Sequence, residues 1–514
     1  MDITFLGQAG LYIETKYGSI LCDPWFNPAY FASWFPFPSN EFVDRAKIAK
    51  PDYLYLSHLH HDHYDPDFLQ QHVHKDATVL LPAFPIDKLE RELRELGFHR
   101  FIKTKNCETV DVNGLSVTIM ALTAPTDGPI GDSSLVVSDG EVTILNQNDS
   151  RPVDMDLLES FGPFDVHFLQ FSGAIWYPMV YRMPETAKEV LAKKKRENQM
   201  ARALRYVKEI GATFVVPSAG PPCFLDDDLF HFNDVHRDDT NIFPDQTVFL
   251  EYLNENGVHT GRLMIPDSVM SLTTGVCEVK HPLPEEEVQR IFTQKEDYLR
   301  RYQERQRPVI EAQKASWTRN KVDIVAALQS WFHPLLALAD LTSAGVNGLV
   351  LLDCGSPKVV IDFHQRKVYE WNGEDTDYRF FVDRALVETC IEKHHEDWVN
   401  ELFLSCRFAA ERKGGFNEHI YNFFKCLSPE RIEYLEGYLA ERADVNELFE
   451  CAGHMVQRRC PHLKADLTRF GHVEDGILTC RMHGWQWELD GGRCLTSADR
   501  PIYSKPIETR EAKA

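Results

Sequence analysis

Four residues near the end of the chain have the types and spacing of a metal cluster. Cys460-Pro-His462 is followed, after seventeen residues, by Cys480-Arg-Met-His483. Each loop offers one thiolate and one imidazole, as C-x-H and then C-x-x-H. A [2Fe–2S] cluster of mixed ligation needs this set: two Cys on one iron and two His on the other, at a potential far above that of an all-Cys cluster. Zinc also accepts Cys2His2, but zinc loops usually pair Cys with Cys and His with His. A second group lies near the start, where His58-Leu-His60-His61-Asp62-His63 packs ligand-type residues into six positions. Alternating His58 and His60 can bring two imidazoles together, with Asp62 and His63 returning to the same cavity after a turn. A solvated polar loop is the bland alternative, and this density of ligands argues against it.

The elements that must position these groups can be read from local pattern. Residues 1–24 alternate short β-branched and aromatic runs with turns, which predicts a β-meander. Residues 26–45 are aromatic and Pro-rich, fitting a lid or a wall of a pocket, or a well-packed surface loop. Asp52-Tyr-Leu-Tyr-Leu-Ser57 reads as a buried strand that runs into His58 and ends in a loop before a helix. Ser134–Ser138 and Val142–Asn146 predict a hairpin across Asp139-Gly140, which delivers Asn148-Asp149 at its end. Pro184 to Ile210 reads as an amphipathic helix. Its cluster Lys193-Lys-Lys-Arg196 could meet substrate phosphates, although a solvated face is the plainer expectation. Residues 284–318 predict a second charged helical stretch. From 320 to 445, helices alternate with strands at Gly348–Asp353, Lys358–Phe363 and Lys367–Trp371.

Composition narrows the function. The 514 residues exceed one compact core. The 55 basic residues stand against 78 acidic ones, a net charge of −23 that opposes general nucleic-acid or anionic-membrane binding. The start shows no signal-peptide pattern, and no apolar run is long enough to span a membrane, so a cytoplasmic protein is expected. The twelve Cys lack dense disulfide spacing, which suits a reducing compartment.

Two resemblances follow from these motifs. The Cys460–His483 loops, with Gly484-Trp485 and the Gly491-Gly492 turn, closely resemble the Rieske family. The His58–His63 loop resembles the metallo-β-lactamase superfamily, and Gly7-Gln8-Ala9-Gly10 with Asp23-Pro24-Trp25 resemble its sugar-phosphate-lactonase-like branch. The second resemblance implies a later carboxylate ligand at Asp149. It also implies an intermediate His, absent between 123 and 133 where Asp127 and Asp132 stand instead, and a last His, for which His231 is the nearest candidate. That incomplete set favours one metal over two. The middle stretch resembles a sterol-carrier-like domain. The expected architecture is an α/β multidomain chain. An N-terminal metallo-β-lactamase-like αββα sandwich spans 1–283 and a helical linker 284–319. A middle α+β (sterol-carrier-like) domain spans 320–447, and a C-terminal all-β Rieske [2Fe–2S] domain spans 448–514.

A Rieske cluster passes single electrons, so the other metal should be redox-active. His58, His60 and one carboxylate, Asp149 or Asp62, form the best set for mononuclear non-haem Fe(II), with His63 next. The pairing of modules resembles the CMP-N-acetylneuraminate hydroxylases, where the Rieske module comes first. With the Rieske module last, it resembles the actinobacterial UDP-N-acetylmuramate hydroxylases. That resemblance implies hydroxylation of the N-acetyl methyl of a nucleotide sugar, UDP-MurNAc, by O2 in the cytoplasm before peptidoglycan assembly. No dinucleotide or flavin fingerprint is evident, so NAD(P)H electrons are expected from a separate reductase, through a ferredoxin or cytochrome. Two rivals are a hydrolase or lactonase with an accessory Rieske domain, and a redox carrier with a vestigial first site. Assembly into a homo-oligomer is left open.

Overall fold

The computed structural model describes residues 1–124, 131–173, 175–440, 447–497 and 500–507; Asp127, named above, lies outside them. The chain forms two compact units. The first joins Met1–Ile324 to Phe381–Ala409, and the second joins Val325–Phe380 to Ala410–Ala514.

In the first unit the predicted meander forms: Asp2–Gly7, Gly10–Thr15 and Gly18–Cys22 pair antiparallel. They sit in an eight-stranded sheet, where Gly18–Cys22, Tyr53–Tyr55, Thr78–Leu81 and Arg100–Lys103 run parallel. A six-stranded sheet faces it, and within it Thr143–Asn148, Val166–Gln170 and Phe214–Ser218 run parallel. One apolar layer fills the gap, with Phe5, Ile13, Ile20 and Tyr55 from one sheet and Ile119, Val137, Ile144 and Phe168 from the other. Each such side chain, fully buried, contributes about 1.5–3 kcal/mol. The predicted hairpin is present, with Thr143 opposite Ser138. Parallel strands end together at one edge of the sandwich, and the motif loop and Asp149 both follow such ends.

The aromatic segment 26–45 packs inward, with Trp34, Phe35 and Phe37 at most 2% exposed and Tyr30 OH donating to Asp62, the place of a wall and not of a surface loop. Residues 284–319 do not form a detached linker. Helices Glu285–Thr293 and Lys295–Ser316 bury Val288, Ile291, Phe292, Leu299 and Tyr302 in a cluster with Phe35, Phe37 and Leu225. Phe381–Ala409 lies within the span read as the middle domain and packs with the first unit.

The second unit carries a five-stranded sheet with Leu349–Asp353 at its centre, between Val359–Asp362 and Tyr378–Val382. Its last two strands, Tyr378–Val382 and Phe408–Arg412, lead the chain out of the unit and back. Helix Glu418–Lys425 is buried throughout. Beyond it come two three-stranded antiparallel sheets, one from Leu448–Cys451, His454–Gln457 and Ser504–Pro506, the other from Gly471–Glu474, Ile477–Cys480 and Trp485–Glu488. Among the described residues no single helix is long and apolar enough to cross a membrane.

One clamp in the first unit is costly to remove. Tyr30, Phe31 and Ala32 have φ of 51°, 58° and 54°, a left-handed run that side chains with a Cβ disfavour. The Arg407 guanidinium donates to the Phe31 and Ala32 carbonyls, each at 3.1 Å, and pairs with buried Asp226 at 2.7 Å. Arg407→Ala should destabilise this unit by about 3 kcal/mol, because it strands a buried carboxylate that Lys314 alone then offsets. Thermal unfolding checks this. Arg407→Lys should recover only part of the loss, having no fork for two carbonyls.

Candidate metal centres

The first centre is built outward from Asp23, which lies just past the strand Gly18–Cys22 at φ 41°. Its carboxylate accepts from the Ser57 backbone N–H at 2.7 Å, from Ser57 Oγ at 2.7 Å and from His63 Nδ1 at 3.0 Å. Ser57 Oγ, its proton given to Asp23, accepts from His58 Nδ1 at 2.8 Å. Both Nδ1 atoms are thereby held, so Nε2 of each imidazole is the nitrogen turned into the cavity. His60 is fixed from the opposite end of the sequence. Asn400 Nδ2 donates to Asp397 at 2.7 Å, so its Oδ1 accepts from His60 Nε2 at 2.6 Å. That leaves His60 Nδ1 facing His58 Nε2 at 2.6 Å, two lone pairs that call for a cation between them. Asn400 lies on the π-helical turn Val399–Phe403, of a kind frequent at functional sites.

The carboxylates are aimed as firmly. Asn148 sits at φ 45° and accepts from the backbone N–H groups of Asp149 and Ser150 at 2.6 and 3.2 Å, which points Asp149 inward. Asp149 Oδ2 is 3.9 Å from His58 Nε2, and its Oδ1 is 3.7 Å from His63 Nε2. Asp62 accepts from Gln8 Nε2 at 2.9 Å and Tyr30 OH at 2.6 Å, and its Oδ2 is 3.7 Å from His63 Nε2. Donor atoms of His58, His60 and Asp149 all lie within 4.8 Å of one another. His63 Nε2 and Asp149 Oδ1 are buried with no hydrogen-bond partner. Such donors, shut from water and left without partners, fit a divalent cation. One metal ion fits among His58, His60 and Asp149, while Asp149 also faces the Asp62–His63 side.

The expected residues therefore come together, and some others do not. Asp132 is 3.3 Å from His58 Nδ1, behind the imidazole. His231 is exposed, with its ring against Phe232 at 4.2 Å, and does not join the cluster. His61 turns to Glu401 at 2.7 Å; burial opposes its charge, yet Glu401 raises it to about 9. Asn400 and Glu401 carry no local sequence signal for this role. Asp23 and Gln8 lay inside quoted motifs without a role.

The second centre is assembled by two turns. Cys460 and Cys480 are buried and close enough to interact, so that burial and Cys480 together push the Cys460 thiol well up. His462 and His483 stand with ring centroids 4.8 Å apart at 80°, and Trp485 stacks on His462 at 4.5 Å. His462 Nδ1 is buried without a hydrogen-bond partner. Gly484, at φ 79°, donates its N–H to the Cys480 carbonyl at 2.7 Å and closes the second loop. Two thiols forced together and an orphaned imidazole nitrogen suit a [2Fe–2S] cluster. Glu418, buried on its helix, accepts from His462 Nε2 at 3.3 Å and also pairs with Arg500. Burial would raise its carboxyl, but His462, Arg500 and His419 hold it below the usual range.

Two predictions follow from this chemistry. Burial opposes a charge on His63, yet Asp149, Asp62 and Asp23 raise it to about 10. A ligand must shed that proton, so iron uptake at pH 7 should release protons, and affinity should rise with pH towards about 10. Calorimetry in buffers of different ionisation enthalpy reads the release. Glu418→Gln removes a negative charge that favours the oxidised cluster. Its reduction potential should rise by tens of millivolts in an EPR-monitored titration.

The stretches that carry these residues match known domain families. Residues 19–218 match the beta-lactamase superfamily domain, 324–441 the Rv3818-like, SCP2-like domain, and 448–503 the Rieske [2Fe-2S] domain. The chain has the metallo-β-lactamase fold, a middle SCP2-like domain and a C-terminal Rieske domain. Among solved structures, Igni18, a metallo hydrolase from Ignicoccus hospitalis, is 17% identical, with 52% of this chain and 96% of that one covered at a TM-score of 0.36. CmlA, a diiron beta-hydroxylase from Streptomyces venezuelae, is 15% identical, with 53% and 54% covered at a TM-score of 0.35. The "Putative Rieske 2Fe-2S iron-sulfur protein Rv3818" of Mycobacterium tuberculosis is 50% identical over 513 residues, 98% of this chain and 99% of that one. The chain belongs to the Rv3818-like family of Rieske proteins, which join a metallo-β-lactamase-like, an SCP2-like and a Rieske domain.

Proposed function

We propose that the chain is a Rieske non-haem iron monooxygenase that hydroxylates the N-acetyl group of a nucleotide sugar, converting UDP-MurNAc to UDP-N-glycolylmuramate. The observation that carries this reading is the joining, in one chain, of an electron-carrier ligand set with a buried His–carboxylate cluster that can hold iron. A hydrolase has no use for single electrons. The reaction balances as one C–H, one O2, two electrons and two protons giving one C–OH and one water. Iron bound at His58, His60 and Asp149, with Asp62 and His63 beside them, would supply O2 activation.

The protein's own residues do the rest. Asp23, Ser57 and Asn400 hold the imidazoles in one tautomer, while Gln8 and Tyr30 hold Asp62. His61 keeps a proton at neutral pH through Glu401 and is a source for the water formed. Electrons come from NAD(P)H through a partner reductase and a ferredoxin or cytochrome, in the cytoplasm where nucleotide sugars are made. The substrate identity rests on the family resemblance of motifs and domain order.

One observation favours a second reading. Asp149 faces His58 with one oxygen and His63 with the other, the disposition of a carboxylate between two metals. A two-metal hydrolase with an accessory Rieske domain would turn over without reductant.

The test supplies iron-loaded protein with NADH, a generic reductase, 18O2 and UDP-MurNAc, read by mass spectrometry. The expected product is heavier by one 18O-labelled oxygen, and Cys460→Ser should abolish multiple turnover while leaving substrate binding. Hydrolysis without reductant, and no oxygen added to any nucleotide sugar, would overturn the proposal.

A further inference from the structure

The inside of the sandwich changes character as it nears the metal edge. Deeper in, the inward positions on the parallel strands of the six-stranded sheet are apolar: Ile144 of Thr143–Asn148, Val166 and Phe168 of Val166–Gln170, Phe214 and Val216 of Phe214–Ser218. Side chains alternate between faces along a strand, so the next inward positions are Asn146, Gln170 and Ser218. The pairing agrees, with Asn146 opposite Leu135 and Phe168 of the apolar layer and Gln170 opposite Ser218. Neighbouring strands lie about 4.8 Å apart, which gathers the three polar side chains into one patch.

Two more residues join them. Ser172 lies two positions past Gln170, its hydroxyl against Gly220, where an added Cβ would come within 2.5 Å of it. Gln8 arrives from the facing sheet, and its backbone carbonyl accepts from the Ala219 N–H at 2.7 Å, next to Ser218. With Nε2 given to Asp62, Gln8 offers Oε1 as a fixed acceptor. All five residues are at most 7% exposed. Yet Gln8 Oε1, Gln170 Oε1, Ser172 Oγ, Ser218 Oγ and both amide atoms of Asn146 have no hydrogen-bond partner. Each buried group left so costs about 1–3 kcal/mol, and such orphans are few in a native fold. None of the five is charged, so neither an anion nor a cation finds its opposite among them. What fits is a neutral group that both gives and accepts hydrogen bonds, as a secondary amide does. Water can satisfy groups of this kind until a ligand that makes the same bonds displaces it.

We propose that Asn146, Gln170, Ser172 and Ser218, with Gln8 Oε1, form a neutral polar subsite that recognises the acetamido group of the substrate beside the first metal centre. The amide N–H is given to a Gln8 or Gln170 oxygen, and the amide C=O accepts from Asn146 Nδ2 or a serine hydroxyl. This rests on the nucleotide-sugar reading above and supplies the means by which the reacting group is told apart. The subsite is tied to the metal edge at two points: Gln8 holds Asp62, and Asn146 lies three residues before Asp149 on the same strand end. An amide held there by both its polar atoms leaves only its methyl group unengaged.

The test titrates the iron-loaded full chain in a calorimeter with UDP-MurNAc and with its analogue that bears hydrogen in place of the acetamido group. The unaltered chain should prefer the amide by roughly a hundredfold, because the analogue leaves buried polar groups unpaired. Gln170→Met and Asn146→Leu, each close in size to the residue replaced, should cut that preference by about tenfold apiece. Gln8 is left in place because it holds Asp62, and Ser218→Ala is the smaller change to use should a larger one lose iron. Each variant removes an orphaned buried amide, so its Tm should stay level or rise while the preference falls. A lowered Tm with the preference intact assigns these groups to folding and overturns the subsite. An intact preference in stable variants assigns them to ordered water and overturns it too, as does binding of neither ligand. If the preference depends on Gln170 and Asn146 while no oxygen is added to UDP-MurNAc, the subsite stands and the reaction falls. If hydroxylation proceeds with KM unchanged in both variants, the reaction stands and the subsite falls.

Discussion

The Asp23 carboxylate, wholly buried and bonded to the Ser57 backbone, the Ser57 hydroxyl and His63, is the contact on which the first centre depends. An isolated carboxylate could not remain charged so deep in the fold. Three donors make it tolerable, and in accepting them it decides where protons lie on two imidazoles. The motif loop is thereby tied to the end of the neighbouring strand. Around it the backbone is repeatedly left-handed, at Gln8, Asp23, Tyr30–Ala32, Asn148 and Ala219. Each such residue costs roughly 1–2 kcal/mol and is held by surrounding bonds.

What the amino-acid order disclosed follows from the range of the forces involved. The hairpin, the meander and the long helix depend on neighbours two to four residues away, and all were legible. So were His58, His60, Asp62 and His63, where density alone betrays a site, and Cys460, His462, Cys480 and His483, where spacing does. Asn400 and Glu418 were not legible, because each serves a metal loop only through folding, 340 residues from His60 in the first case and 44 from His462 in the second. The linker expectation for 284–319 followed its charged composition and overlooked Val288, Ile291, Leu299 and Tyr302, whose spacing already marks a buried stripe. His231 shows the reverse failure: a ligand type at a convenient distance, placed by the fold on an exposed turn.

The two centres solve one problem in different ways. Both bury donor atoms that are costly to leave unpaired. At the first, carboxylates outnumber the charges the protein supplies, and a dication is what the cavity lacks. At the second, the thiols and imidazoles come from two tight turns braced by backbone hydrogen bonds, with Glu418 outside as a buried acid on His462.

The return of Phe381–Ala409 to the first unit sets an order of events during synthesis. The sandwich strands and the whole motif loop emerge from the ribosome early. Asn400, which orients His60, and Arg407, which clamps the strained turn beside Asp62, emerge only after Val325–Phe380 of the second unit. The nascent N-terminal fold is thus unfinished at its metal-binding edge for hundreds of residues. The oriented His58–His60 pair comes into being only when that late segment docks, so metal loading at this edge is timed by the length of the chain.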